Sequence, residues 1–145
     1  MILPDVNVLV YAFHGDSVDH ATYARWLAGV VDGPEELLLP DAVLVGCLRV
    51  VTDSRIFSTP ATPGAAMDFV AALRRRRRSR GVDDHGSVWS VLAGLVEGDR
   101  RLGGRLVPDG YLAAVALSHR ARVATRDRGF GRFPGLRFFD PARAS

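Results

Sequence analysis

Three aspartates stand in the same kind of place along this chain. Asp5 follows the apolar start "MIL" and Pro4, and it opens the apolar run "VNVLVYAF". Asp109 stands behind Pro108 at the head of "YLAAVAL", and Asp127 follows "RVAT" and precedes "RGFGRF". Ligands of open α/β sheets bind in the crevice beyond the carboxyl ends of the strands. The partial positive charge of a helix N-terminus favours an ionised acid there. Three carboxylates converging in a partly buried site repel one another and require a compensating cation. Hard oxygen donors without His or Cys partners select Mg²⁺ or Mn²⁺, which keep several waters and complete their shell with phosphate oxygens. Each acid alone also has a plainer reading, as a helix N-cap or a turn residue. Their combination and order favour the metal site.

Elements must exist to bring these acids together. Met1–Leu3 reads as a first strand and Val6–Phe13 as the helix after it. Ala21, Ala24, Leu27, Ala28 and Val31 recur at helical spacing, which predicts a helix over His20–Val31. Leu37–Leu39 is a short buried strand, and Asp41 is a plausible N-cap for a helix over Ala42–Val51. A Thr- and Pro-rich loop follows, then a helix from about Pro63 with Ala66, Phe69, Val70 and Leu73 on one face. That helix runs into the arginine-rich tract "RRRRRSR", Arg74–Arg80. A short strand at Gly81–Val82, a helix over Val88–Val96, a helix over Tyr111–His119, and strands at Arg122–Thr125 and Leu136–Phe139 complete the chain. Alternating strands and helices predict one α/β domain over residues 1–145, a mostly parallel sheet covered on both faces.

Composition removes other chemistries. All nineteen basic residues are arginines. A phosphate-binding loop of the Walker type needs its lysine, and phosphoryl-aspartate enzymes that also open with a strand and an Asp rely on a lysine too. Neither is available here. The only cysteine, Cys47, supports no internal disulfide or zinc site and fits a reducing cytoplasm. The N-terminus lacks a basic n-region, and Arg49 interrupts the longest apolar run, so neither a signal peptide nor a membrane span is expected. A net charge of +3 and a pI of about 9.7 lean toward polyanionic partners.

The motifs taken together resemble the PIN-domain ribonucleases, specifically the VapC-type toxins of bacterial toxin–antitoxin modules. "LPDVNVLVYA" is similar to the family's opening D-x-N-x-L motif and "LVPDGYLAAVAL" to its D-A-x-L-A-A-x-A helix. "VATRDRGFGRFPGLRFFDP" is similar to its closing segment, and "LRVVTDSRIF" to a subgroup abundant in mycobacteria. The resemblance implies a PIN-like three-layer α/β/α sandwich and RNA cleavage assisted by Mg²⁺, or Mn²⁺, held by Asp5, Asp109 and Asp127. It implies a cognate VapB-type antitoxin, a homodimer and a cytoplasmic location. Asn7 would fix Asp5 or touch a metal-bound water. Thr125 would hydrogen-bond a carboxylate or a phosphate, or simply end its strand. Two departures stand out. Gly46 occupies the position where the family commonly carries a Glu, and Gly110 replaces the usual Ala after the second Asp.

Outside the acids, Arg126, Arg128 and Arg132 flank Asp127 and suit RNA phosphates, with surface charge as the plain alternative. The tract Arg74–Arg80 reads as a solvated helix end, because successive helical residues point about 100° apart, with an RNA-backbone contact from two or three of its arginines as the alternative. The four histidines do not cluster and read as structural or exposed. Trp26 and Trp89 read as core or interface anchors. Two other functions fit the same residues: a silent PIN-like domain that binds RNA or a partner, and a metal-dependent phosphatase of small phosphoesters.

Overall fold

The computed structural model describes residues 1–143. Strand β1 (Ile2–Pro4) is followed by helix α1 (Val6–Phe13), with Asp5 the single residue between them. Next come α2 (His20–Asp32), β2 (Leu37–Leu38), α3 (Asp41–Val51), α4 (Pro63–Arg74) and β3 (Ser79–Arg80). The remainder is α5 (His85–Gly98), α6 (Val107–Ser118), β4 (Arg122–Ala124) and β5 (Phe138–Phe139), with 3-10 turns at Gly104–Leu106 and Arg128–Arg132.

The strands lie in the order β3-β2-β1-β4-β5, and every pairing is parallel. Right-handed crossovers then dictate the layers. The steps β1 to β2 and β2 to β3 run one way, so α1–α4 cover one face; the step from β3 back to β4 puts α5 and α6 on the other. Packing agrees, with α1 against α2 and α3, α3 against α4, and α5 against α6. The result is a three-layer α/β/α sandwich. Leu3, Leu38 and Val123 of the sheet are fully buried, as are Val8, Leu9, Val43 and Val115 of the helices. Parallel strands share one carboxyl edge, and that edge carries Asp5, Asp41, Thr125, Asp127 and Asp140.

Several boundaries differ from the sequence reading, each for a local reason. Asp41 is the first residue of α3, not its cap; Pro40 takes the cap position and supplies no side-chain bond. Helix α5 starts at His85, because Asp84 caps it by accepting from the Ser87 amide at 3.1 Å. Helix α6 starts at Val107, with Pro108 tolerated in the first turn where amides lack partners anyway. Asp109 is therefore inside that first turn. The arginine tract leaves its helix at Arg74 and turns, and the short strand is Ser79–Arg80 rather than Gly81–Val82. Arg76 reaches Asp32 at 3.6 Å and Arg80 reaches Glu36 at 2.6 Å, so part of the tract is tied to α2 and β2. Strand β5 is shorter than read and holds only Phe138 and Phe139.

His14 is buried, stacked on Phe57 with ring centroids 3.7 Å apart, and bonded through Nε2 to the Thr59 carbonyl at 2.9 Å. It ties the loop after α3 to the end of α1. Trp89 is not a core residue: it is 65% exposed on the outer side of α5. Among the described residues no helix is long and apolar enough to cross a membrane.

Gly110 is a packing residue. A Cβ built there would stand 2.9 Å from Leu102 Cδ1, a buried side chain of the preceding loop. Gly94 on α5 has nothing within 4 Å of the same position. Gly94→Ala should therefore stabilise the protein by about 0.5–1 kcal/mol through helix propensity alone. Gly110→Ala should lose that gain to overpacking and end about 1–2 kcal/mol less stable than the parent. Urea unfolding of the two variants side by side checks the difference, and a stabilised Gly110→Ala would refute the packing role.

Candidate active site

Asp5 is placed by the sheet. Its amide donates to the Ala124 carbonyl at 2.9 Å, extending the β1–β4 ladder by one bond, and its side chain then sits at the N-terminus of α1. The residue is only 8% exposed. Oδ1 accepts from the Val6 amide at 2.7 Å and Oδ2 accepts from the Thr125 hydroxyl at 2.9 Å. Burial raises its pKa above the ordinary range of an aspartate; the bonds from Thr125 and Val6 pull it back, and the charge of Asp127 adds to the rise.

Thr125 is buried at the end of β4 and works in two directions. Its hydroxyl donates to Asp5 and accepts from the Asp127 amide at 3.0 Å. One oxygen thereby sets the position of the first acid and the backbone of the third. Asp127 is exposed, and its Oδ1 accepts from the Gly129 amide at 2.7 Å, capping the following 3-10 turn.

Asp109 approaches from α6 on the other helical layer. Its carboxyl is pushed up to about 6, first by burial and then by the negative charges of Asp5 and Asp127, with Arg132 acting against them. The three acids thus share one electrostatic neighbourhood. Asp5 and Asp109 line the same open cleft of about 300 Å³, whose other walls are mostly apolar: Val6, Val43, Val107, Pro108 and Leu112 among them. No three His, Cys, Asp or Glu side chains among the described residues are gathered tightly enough to hold a metal ion unaided. The set nevertheless fits a hydrated divalent cation. Its donors are all hard oxygens, its charge is in excess, and such ions reach carboxylates partly through their own waters.

The remaining candidates separate. Asn7 is exposed in the first turn of α1, and no hydrogen bond joins its side chain to Asp5; Val6 and Thr125 fix that acid instead. Arg132 is half-buried, 3.5 Å from Asp99, and on the side of Asp109. Arg126 pairs with Asp19 at 3.0 Å, and Arg128 is exposed with no ion pair among the described residues. Both border a second cleft, beyond Asp127. Gly46 packs against Val6: a Cβ there would stand 2.8 Å from Val6 Cγ2. The side chain of Val6 thus lies against the position where the family commonly carries a Glu. Nothing in the spacing of the sequence pairs residue 6 with residue 46.

A PIN domain model matches residues 2–136, nearly the full length of this fold. The chain belongs to the PIN-domain family. This PIN domain is 39% identical over 144 residues to ribonuclease VapC43 of Mycobacterium tuberculosis, covering 97% of this chain and 95% of that one. It is 31% identical over 141 residues to ribonuclease VapC31 of the same species, covering 97% and 99%. Among solved structures, VapBC2 from Rickettsia felis bound to a promoter DNA fragment shares the fold, with a TM-score of 0.68 at 17% identity over 97% of this chain and 98% of that chain.

Two outcomes are expected at the site. The pKa of Asp109 in the folded protein, about 6, lies above the ordinary 3.8. Between these values the unfolded chain is ionised while the folded one keeps its proton, so stability falls as pH rises through this window. Asp109→Asn should therefore raise Tm in metal-free buffer at pH 7–8, with the gain shrinking toward zero as pH falls to 4. A gain that persists at pH 4 would exclude charge as its cause. Thr125→Val keeps shape but removes the donor to Asp5, which should cost about 1–3 kcal/mol and raise the Asp5 pKa further, whereas Thr125→Ser should retain most of both. Chemical denaturation together with NMR titration of the aspartates checks this pair.

Proposed function

We propose that this PIN domain is a divalent-metal-dependent endoribonuclease, the toxin of a toxin–antitoxin pair, active as a homodimer and silenced by a cognate VapB-type antitoxin. The observation that carries the reading is the bridge Asp5–Thr125–Asp127, set beside an Asp109 that senses both acids. Likeness to proteins named VapC ribonucleases supports RNA as the substrate, and likeness in fold to VapBC complexes supports the antitoxin.

Asp5, Asp109 and Asp127 would hold Mg²⁺ or Mn²⁺, which supplies charge neutralisation at a phosphoryl group and a water acidic enough to act as nucleophile. The chain's own residues do the rest. Thr125 keeps Asp5 from rotating away from the edge of the sheet and fixes the turn that presents Asp127. Arg132 limits the repulsion on Asp109 without neutralising all three acids. Arg128 supplies a guanidinium group for a phosphate next to the one cleaved, and Arg126 would supply a second once released from Asp19. Asn7, exposed on α1 beside Asp5, is free to meet a water of the ion. A second reading, a silent partner-binding domain, draws on Val6 standing where a fourth acid was sought.

Asp5→Asn separates the two readings. It keeps shape and one of the two acceptor oxygens but removes one charge. Relief of repulsion offsets the loss of one bond, from Val6 or Thr125, so the metal-free variant should remain folded with a Tm close to that of the parent. Total cellular RNA incubated with Mg²⁺ or Mn²⁺ should be cut by the parent and left intact by the variant, with antitoxin binding retained. An unchanged cleavage pattern in the folded variant would exclude the mechanism, and a parent that cuts nothing while binding its antitoxin would favour the silent domain.

A further inference from the structure

The cleft beyond Asp127 has a different character from the acid site. It encloses about 320 Å³ and is lined by Thr125, Arg126, Asp127, Arg128, Phe138, Asp140 and Arg143. It lies at the carboxyl ends of β4 and β5, and Thr125 and Asp127 are the wall it shares with the acids.

Its charges are unevenly committed. Asp140 is occupied: its Oδ1 accepts from the Tyr23 hydroxyl at 2.8 Å and from the Ala142 amide at 2.9 Å. Asp127 belongs to the acid site. Arg126 is paired outward with Asp19 at 3.0 Å. Arg143 is held only loosely, its Nε 3.7 Å from Asp140 Oδ2, and Arg128 has no ion pair among the described residues. Two exposed guanidinium groups are thus available at the rim, and the planar guanidinium fork suits phosphate oxygens.

The floor adds an aromatic face. Successive strand residues point to opposite sides of a sheet, and β5 divides its two phenylalanines that way. Phe139 packs on Trp26, with centroids 6.1 Å apart, and lies under Arg122. Phe138 faces this cleft and is 37% exposed. Gly131 of the 3-10 turn backs the ring, since a Cβ there would stand 3.6 Å from Phe138 Cζ. A supported, exposed ring beside exposed arginines is the combination that binds single-stranded nucleic acid, stacking a base while cations follow the backbone.

We infer that this cleft is a nucleotide subsite, in which Phe138 stacks a base of single-stranded RNA and Arg128 and Arg143 bind its phosphate, next to the bond cleaved at the acids. It rests on the reading of RNA as substrate, and it assigns Phe138 and Arg143 to substrate binding. The cleft has room for about one nucleotide, at the low end of the ~300–1,000 Å³ of small-ligand pockets.

The test is fluorescence anisotropy of a labelled, random-sequence, single-stranded RNA dodecamer, measured in EDTA so that binding is read without cleavage. Phe138→Ala should weaken binding roughly 5- to 150-fold with an unchanged salt dependence, and Phe138→Tyr should restore it. Arg128→Gln and Arg143→Gln should each lower the slope of log Kd against log salt by about 0.7. Thermal melts establish that each variant is folded, and Phe138→Leu, which keeps bulk but not the flat face, should bind like Phe138→Ala. Parent-like RNA binding in both Phe138→Leu and Arg143→Gln would overturn the subsite. So would polyglutamate competing as well as RNA and independently of Phe138, which would mark the cleft as a site for acidic protein segments. The pattern appearing without any cleavage in Mg²⁺ or Mn²⁺ would uphold the subsite and count against the nuclease reading instead.

Discussion

The constraint on which the structure turns is a carboxylate buried at the end of the central strand. Asp5 cannot retreat to solvent, because its amide continues the β1–β4 ladder and α1 begins at the next residue. A buried acceptor without donors costs about 1–3 kcal/mol, and more when charged. Two donors meet it, the Val6 amide and the Thr125 hydroxyl, and both depend on register. The first requires the helix to start without a linker. The second requires β4 to lie beside β1 with Pro4 opposite Ala124, so that Thr125 follows at the same level as Asp5. The adjacency of β4 to β1 and the position of Asp127 both serve that one group.

The donors around Asp5 are neutral, and that choice sets the electrostatics. A lysine or arginine in place of Thr125 would cancel the acid and leave nothing for a cation to do. With a hydroxyl there, the negative charge stays in surplus, and the Asp109 carboxyl, raised first by burial, is raised further by the charges of Asp5 and Asp127. Among the described residues Arg132 is the positive group that opposes this at Asp109, and it is itself paired with Asp99 at 3.5 Å. Preorganised repulsion of this kind makes an empty site less stable and a charged ligand more welcome.

What was legible in the chain follows the same division. α1 could be read to the residue because Pro4-Asp5 and a continuous apolar run mark both its ends locally. The acids were legible because strand-then-acid and Pro-then-acid are short-range signals. β3 was misplaced because two residues at the end of an arginine tract carry no periodicity, and only pairing with Leu37–Leu38 defines them. Asp41 was misread as a cap because Pro40 can occupy that position without supplying a bond. Trp89 could be read as core or interface, and its exposure removes the first, because an aromatic on a helix does not announce which side is outward. Asn7 looked placed to fix Asp5 by its nearness in sequence, but that acid is bonded by a hydroxyl 120 residues away. The contacts between distant segments (Thr125 with Asp5, Val6 with Gly46, Leu102 with Gly110) left no mark in local pattern.

The meeting of Val6 and Gly46 bears on how such a protein can change over generations. A β-branched side chain at 6 and a bare backbone at 46 fill one volume between α1 and α3. Any larger residue at 46 collides until position 6 shrinks, and a smaller residue at 6 opens a void until position 46 grows. Each single step lowers stability and only the pair restores it, which is epistasis with a steric cause. A lineage holding Val6 and Gly46 is therefore entrenched, and it acquires an acid at 46 only along a path that gives up packing at 6.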